Sequence, residues 1–347
     1  MVLRSDLSYK QINVQEKEKT MIDFEIIDVH AHLARTREEE ENYFQVPGRR
    51  ACDRYATPDR VMTYMDRVGI SKMAFLTLIP RQFRGPLVEK ARLSGLPEME
   101  RRKKEAALGA EVAPIMREFN QWGCEVGKRF PRLLPFSCIS KELGDADAMA
   151  QEVALRADQG VRGIKMHPGM FSFFPDDAAL FPAYEKCQEL GLPILADSGP
   201  WPAPHVLVQF PSPVITSHSE YMVDYGEPVN WAPVAEAFPQ LTIILAHIGA
   251  AWWDERIVLA EKYPNIFFDT SQGFASPDRI PYCSHRSLAE EDVVRIFRKI
   301  GVERIMFGTD FPSLDPQLQW EQLLRLPFSD AEKKMLFADN AKRILGL

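Results

Sequence analysis

Short apolar runs alternate with stretches of helical period along nearly the whole chain. Eight such runs stand out, at residues 26–32, 72–79, 132–140, 161–167, 193–198, 241–248, 265–271 and 304–310. Most are continuously apolar at the centre rather than alternating, which suits strands buried on both faces of a parallel sheet. Helix signals fill the gaps. Thr57-Pro58 opens one helix, whose Val61, Tyr64, Met65 and Val68 share a face before Gly69. Asp176 opens another, carrying Leu180, Tyr184 and Cys187 and stopped by Gly191. Ser287-x-x-Glu290 and Ser329-x-x-Glu332 are capping boxes for the last two helices, with Gly301 closing the first of that pair.

Eight strand–helix units in succession predict an α/β fold of the (β/α)8 TIM-barrel type, with enlarged loops over the C-terminal face. A barrel of about 250 residues leaves excess chain at 1–22, 81–118 and 199–231. The first of these is a short polar tail, and 23–347 is expected to be a single barrel domain. An open doubly wound sheet is the runner-up, but no glycine-rich phosphate turn follows an early strand.

Composition narrows the class. The 347 residues carry 42 Lys+Arg against 49 Asp+Glu, a net charge of −7, and are 46% hydrophobic. That supplies a large core and gives no electrostatic case for nucleic-acid backbone binding. The five cysteines (52, 124, 138, 187 and 283) are odd in number and scattered. They argue against a disulfide scaffold and for a reducing, cytoplasmic location. No apolar run approaches the ~18 residues of a membrane span, and the N-terminus lacks the apolar core of a signal peptide.

The seven histidines are few enough to weigh singly. His30 and His32, two apart at the end of the first run, point the same way and can reach one ion. Asp310 closes the eighth run, the first one's neighbour once a barrel shuts. His247 closes the sixth run and His167 the fourth, so all these groups fall on the C-terminal rim where barrel chemistry collects. A lone strand-end histidine is more often a hydrogen-bonded packing residue than a ligand. The His-x-His pair with an Asp ending the eighth strand is harder to explain that way, and imidazole with carboxylate suits Zn²⁺, Mn²⁺ or Fe²⁺. Asp28 and Asp269 are supporting candidates behind these ligands. His205, His218 and His285 are expected to be solvated. Aromatic residues crowd the predicted mouth: Phe171, Phe173 and Phe174, then Trp201, Tyr221, Tyr225 and Trp231, then Trp252 and Trp253. Half are expected to pack and half to line a pocket for a planar ring, Trp201 and Trp252 among the latter. Arg35, Arg81 and Arg84 could grip an anionic group. The charged run 98–105 is expected to be a solvated helix face.

The motifs IDVHAH (27–32), GVRGIKMHP (160–168), GLPILADSG (191–199), FPQLTIILAHIGA (238–250), NIFFDTS (265–271), RIMFGTDFP (304–312) and DNAKRILGL (339–347) together resemble the amidohydrolase superfamily. The resemblance is to the amidohydrolase 2 group that includes the aminocarboxymuconate-semialdehyde decarboxylase relatives. It implies one divalent ion, zinc first and manganese or iron as alternatives, held by His30, His32, a fifth-strand residue and Asp310. It also implies Asp310 as the base and His247 as the group that polarises substrate or shuttles a proton. The fifth-strand position, usually histidine, is Asp197 here. Either Asp197 ligates through oxygen, or it serves as a base while His167 completes the metal shell, or the ion is lost. Lys165, two before His167, is expected to be an inward lysine paired with Asp197 or with a substrate carboxylate. The first functional expectation is metal-activated hydrolysis of a small ring-bearing amide, lactone or ester. The alternatives are non-oxidative decarboxylation of an aromatic or unsaturated acid, and a catalytically silent barrel acting as a binding protein. A homodimer taking a small-molecule substrate is expected from the same resemblance.

Overall fold

Each of the eight apolar runs holds a strand. The computed structural model describes residues 24–43, 56–93, 95–199, 224–248, 252–271, 289–312 and 316–347. The strands are β1 (Ile26–Ala31), β2 (Ile70–Leu76), β3 (Leu133–Cys138), β4 (Gly163–Met166), β5 (Ile194–Ala196), β6 (Ile243–Leu245), β7 (Ile266–Asp269) and β8 (Ile305–Met306). They lie in sequence order, each parallel to the next. The ring is drawn shut between β8 and β1. Val29 N–H donates to the Phe307 carbonyl (2.9 Å) and Asp310 N–H to the His30 carbonyl (2.8 Å), and Ala31 bridges Phe311. The chain is a TIM barrel with helices between its strands.

β2 starts two residues ahead of its apolar run, at Ile70, and most strands stop before their runs end. Consequently His32, His167 and Asp197 stand one residue past their strands, His247 two and Asp310 four. His247 and Asp310 have φ of +64° and +61°. That left-handed backbone is uncommon for non-glycine residues and clusters at functional sites.

Alternate strand residues enter different apolar clusters. Ile194, Ala196, Ile243 and Leu245 join the larger cluster that also holds the helix residues, whereas Leu195 and Ile244 join a smaller one with Phe136 and Met306. Period-two alternation makes the first set the helix-facing layer and the second the barrel filling. Gly163 belongs to that filling by necessity, since a Cβ there would lie 2.2 Å from the Phe136 ring.

Helix Pro58–Val68 buries Pro58, Val61, Tyr64, Met65 and Val68 and ends at Gly69 with φ +82°. Helix Phe181–Leu190 follows a short 3-10 turn capped by Asp177 rather than Asp176. The Ser329/Glu332 capping box is present; Ser287 lies outside the described residues. The charged stretch at 81–118 is no loop, for it folds into helices Arg81–Ala91 and Glu98–Arg129. The first turns of the longer helix are mostly exposed, while Leu108, Val112, Met116 and Phe119 pack on the barrel. Phe171, Phe173 and Trp231 are core residues, and Phe174 lies tilted against Tyr225, ring centroids 4.7 Å apart. Cys124, Cys138 and Cys187 are buried free thiols. Among the described residues no helix is long and apolar enough to cross a membrane.

Candidate metal centre

At the C-terminal rim the strand order brings β1, β7 and β8 side by side, and three of their polar side chains meet. His30 and His32 rings lie 5.3 Å apart. Their Nε2 atoms are 3.6 and 3.3 Å from the same oxygen, Asp310 Oδ1. Each ring is pinned from behind. His30 Nδ1 faces Asp269 Oδ2 at 2.8 Å and His32 Nδ1 faces the Leu76 carbonyl at 3.1 Å. Carboxylates and carbonyls only accept, so both Nδ1 atoms carry the proton and both Nε2 lone pairs point toward Asp310. His30 Nε2 is buried without a hydrogen-bond partner among the described residues. Burial, helped by the Lys165 charge, pushes its pKa down to about 4, so the ring is neutral. Lone pairs aimed at a carboxylate repel it unless a cation stands among them, either a metal ion or a second proton on one of the rings. His30, His32 and Asp310, with ligand atoms mutually within 4.8 Å, could therefore serve as the donor set of a divalent ion, and their chemistry fits one.

A second cluster adjoins the first. Asp197 Oδ2 accepts from His247 Nε2 (2.9 Å) and faces His167 Nε2 at 3.4 Å, while Oδ1 accepts from Gly199 N–H (3.3 Å). His167 Nδ1 accepts from Met170 N–H at 3.2 Å, which leaves the proton on its Nε2, turned to Asp197. Burial pushes the His167 pKa down to about 3. For His247 burial is outweighed by the Asp197 carboxylate, and its pKa rises. Asp310 and Asp269 would be raised by burial, but the neighbouring histidines hold both well below the usual carboxylate range.

Asp269 is the hub behind the site. Besides His30 it accepts from His247 N–H (3.1 Å), Ser271 N–H (2.9 Å) and the Ser271 hydroxyl, and Ser271 Oγ lies 2.8 Å from His247 Nδ1. Asp28, its carboxyl pushed up to about 7 by burial, accepts from the backbone N–H groups of His30 and Thr309. It thereby sews β1 to the chain after β8. Gly308 sits where a Cβ would come within 3.1 Å of His30 Cβ and 3.3 Å of Asp269.

Of the residues expected to hold metal, the structure unites His30, His32 and Asp310. Asp197 and His167 belong to neither three-ligand group found among the described residues; the other such group is His30, His247 and Asp269. Lys165 is buried, 1% exposed, and its Nζ has no hydrogen-bond partner among the described residues. Arg35 is engaged elsewhere. It pairs with Glu39 and Glu118, its guanidinium 4.0 Å over the Phe119 ring. Arg84 likewise grips Glu142 with two nitrogens. Trp252 is half-buried and starts helix Trp253–Lys262 with φ +55°. Trp201, Tyr221, His205, His218, His285 and the Arg81 side chain lie outside the described residues.

Two contributors escaped the sequence. Ser271 is visible only as the last letter of NIFFDTS. Arg256, on helix Trp253–Lys262, is fully buried and donates to the Ser198 carbonyl (2.6 Å), Ser198 Oγ (2.9 Å) and the Ala246 carbonyl (3.4 Å). These acceptors flank Asp197 and His247.

A parallel eight-stranded barrel with a buried His/His/Asp triad on its C-terminal rim defines a metal-dependent barrel enzyme class. The chain belongs to the amidohydrolase family Amidohydro_2, which it matches over residues 27–347. No curated protein matches the sequence. Among solved structures the chain is similar to 2,6-dihydroxybenzoate decarboxylase from Rhizobium, at 18% identity and TM-score 0.62, covering 93% of this chain and 99% of that one. It is also similar to dihydroxybenzoic acid decarboxylase from Polaromonas sp. JS666 with bound manganese and the inhibitor 2-nitroresorcinol, at 17% identity and TM-score 0.61, covering 93% and 97%. A third is 5-carboxyvanillate decarboxylase from Sphingomonas paucimobilis, at 14% identity and TM-score 0.60, covering 93% and 99%. At these identities the likeness is one of fold.

Proposed function

We propose that this protein is a divalent-metal-dependent, non-oxidative decarboxylase of an aromatic carboxylic acid. The observation that carries the reading is the burial of every polar group around the triad. His30, His32, Lys165, His167, Asp197, His247, Asp269 and Asp310 are all at most 9% exposed. A carboxylate stripped of water loses CO₂ more readily than a hydrated one, whereas hydrolysis must admit water as a reactant. The solved structures of similar fold support the same choice, since their named activities are decarboxylations of hydroxylated benzoates.

His30, His32 and Asp310 would hold the ion, manganese by analogy with the Polaromonas enzyme or zinc by ligand type. When bound, it supplies a Lewis acid for an anionic oxygen ligand. The chain's own residues do the rest. The burial of the polar side chains around the triad keeps bulk water from them. The bond between ring carbon and carboxylate carbon breaks with its electron pair left on the ring, and CO₂ departs. The ring carbon then takes the proton held at His247 Nε2, which Asp197 aligns.

Hydrolysis of a ring-bearing amide, lactone or ester, the first expectation from the motifs, would use the same triad. One assay separates the two. The manganese- or zinc-loaded protein is offered 2,6-dihydroxybenzoate and 5-carboxyvanillate in D₂O, and a parallel set of lactones and aryl amides. The expected result is CO₂ release with one deuterium at the vacated ring carbon. Acid release from the lactones or amides, with none of the carboxylates consumed, overturns the reading.

A further inference from the structure

β4 carries one cation into the chamber. Lys165 pairs in register with Cys138 of β3 and Leu195 of β5, and its side chain is 1% exposed. Burial pushes the pKa of this amine down, and the carboxylates of Asp197, Asp269 and Asp310, past or at the ends of β5, β7 and β8, are the charges that act most to keep the proton on it. The amine therefore points across the barrel into the mouth where the triad stands. Yet none of those carboxylates comes within ion-pair distance, and Nζ has no hydrogen-bond partner among the described residues. A buried ammonium without a partner is costly. Natural proteins keep such a group where a ligand completes it.

We propose that Lys165 is the receiving cation for an anionic oxygen of the substrate, and that it restricts the chamber to carboxylates against their neutral isosteres. The choice of an aromatic acid rests on the decarboxylase reading above; the charge of the ligand does not. With a divalent ion in the triad the three carboxylates are largely matched, so an entering anion meets Lys165 rather than a surplus of negative charge. A neutral amide or lactone would leave the ammonium as bare as it is now. A counter-ion serving only the aspartates would be expected to touch at least one of them. Lys165 touches none.

The test compares 2,6-dihydroxybenzoate with 2,6-dihydroxybenzamide, titrated calorimetrically into the manganese-loaded protein and its Lys165→Met and Lys165→Gln variants. The wild type is expected to prefer the acid. Each variant should lose roughly 10- to 100-fold for the acid, the worth of a charge-assisted hydrogen bond, and less than about threefold for the amide. Both variants should unfold at the same or a higher urea midpoint, because they remove an unpaired buried charge. A wild type without preference for the acid overturns the proposal. So do variants that weaken both ligands alike and unfold earlier, which would mark Lys165 as a counter-ion for the aspartates. CO₂ release plays no part in these readouts. A protein that binds the acid through Lys165 and releases no CO₂ retires the decarboxylase reading alone.

Discussion

An imidazole can ligate through one nitrogen only if something else takes the proton on the other. In His30 that partner is Asp269, a carboxylate whose own second oxygen is fixed by His247 N–H and Ser271. The charge of Asp269 does two things at once. It selects the Nδ1–H tautomer, and it enriches the Nε2 lone pair that faces Asp310. Asp269→Asn keeps the volume and can still accept from Nδ1–H, so the fold should persist while the electrostatic push disappears. Manganese or zinc affinity, measured by calorimetric titration, should fall by about 10- to 100-fold, the usual cost of losing such a partner. An unchanged dissociation constant would mean that His30 is not a ligand. The His-x-His spacing made the two imidazoles legible because a strand's period of two needs no tertiary information. Ser271 was not legible, since its hydroxyl acts only through residues brought near by β6 and β7. Arg35 was legible as a cation but not as a paired one, for nothing local says that Glu118, far along the chain, will meet it.

At the scale of elements, short strands leave the active groups on irregular backbone, and something must hold that backbone still. Asp197 and His247 follow β5 and β6, strands of three residues each. Between them lies the guanidinium of Arg256, which ties the Ser198 and Ala246 carbonyls together from helix Trp253–Lys262. Burial brings its pKa down to about 10, still far above neutrality, so it remains charged. Arg256→Met would strand these acceptors in a dry site. The expected loss of stability is about 2–4 kcal/mol, from orphaned buried carbonyls, read as a lower urea midpoint at constant slope. Because the same loss loosens the Asp197–His247 hydrogen bond, kcat should drop by roughly tenfold or more with little change in KM. Arg256→Lys, which can serve one carbonyl, should recover part of both. Equal kcat in all three proteins would show that the tie is structural only. The strands themselves were legible because buried parallel strands are continuous apolar runs. Of the helix Glu98–Arg129 only the solvated face at 98–105 was legible; its length was not, because its charged, exposed first turns give no sign of the packed turns that follow. Arg256 was equally silent, for an arginine on a helix is by default solvated.

For the molecule as a whole, the barrel gathers three depressed carboxylates, Asp197, Asp269 and Asp310, at one buried rim. Against them, among the described residues, stand Lys165, Arg256 and the histidines that neighbour them. Closure of the ring depends on the same chain: Asp310 N–H bonds the His30 carbonyl, and Asp28 joins β1 to Thr309. Whatever cation satisfies the triad must therefore also steady the seam between β8 and β1. Removing it with a chelator leaves two imidazole lone pairs facing a carboxylate, a repulsion relieved only by protonating a ring or by moving Asp310 and its seam. The apo protein should accordingly unfold more easily, and metal at a hundredfold its dissociation constant should restore about 2.7 kcal/mol. With an unfolding entropy of about 2.1 cal/mol/K per residue, that is a rise of roughly 4 °C in the melting temperature for 347 residues. Scanning calorimetry of the chelated protein with and without added Mn²⁺ or Zn²⁺ measures it, with Mg²⁺ as a control that should do less because the donors include imidazoles. Superimposable melting curves in all conditions would mean that no ion rests between His30, His32 and Asp310, and that the rim is held by protonated histidine alone.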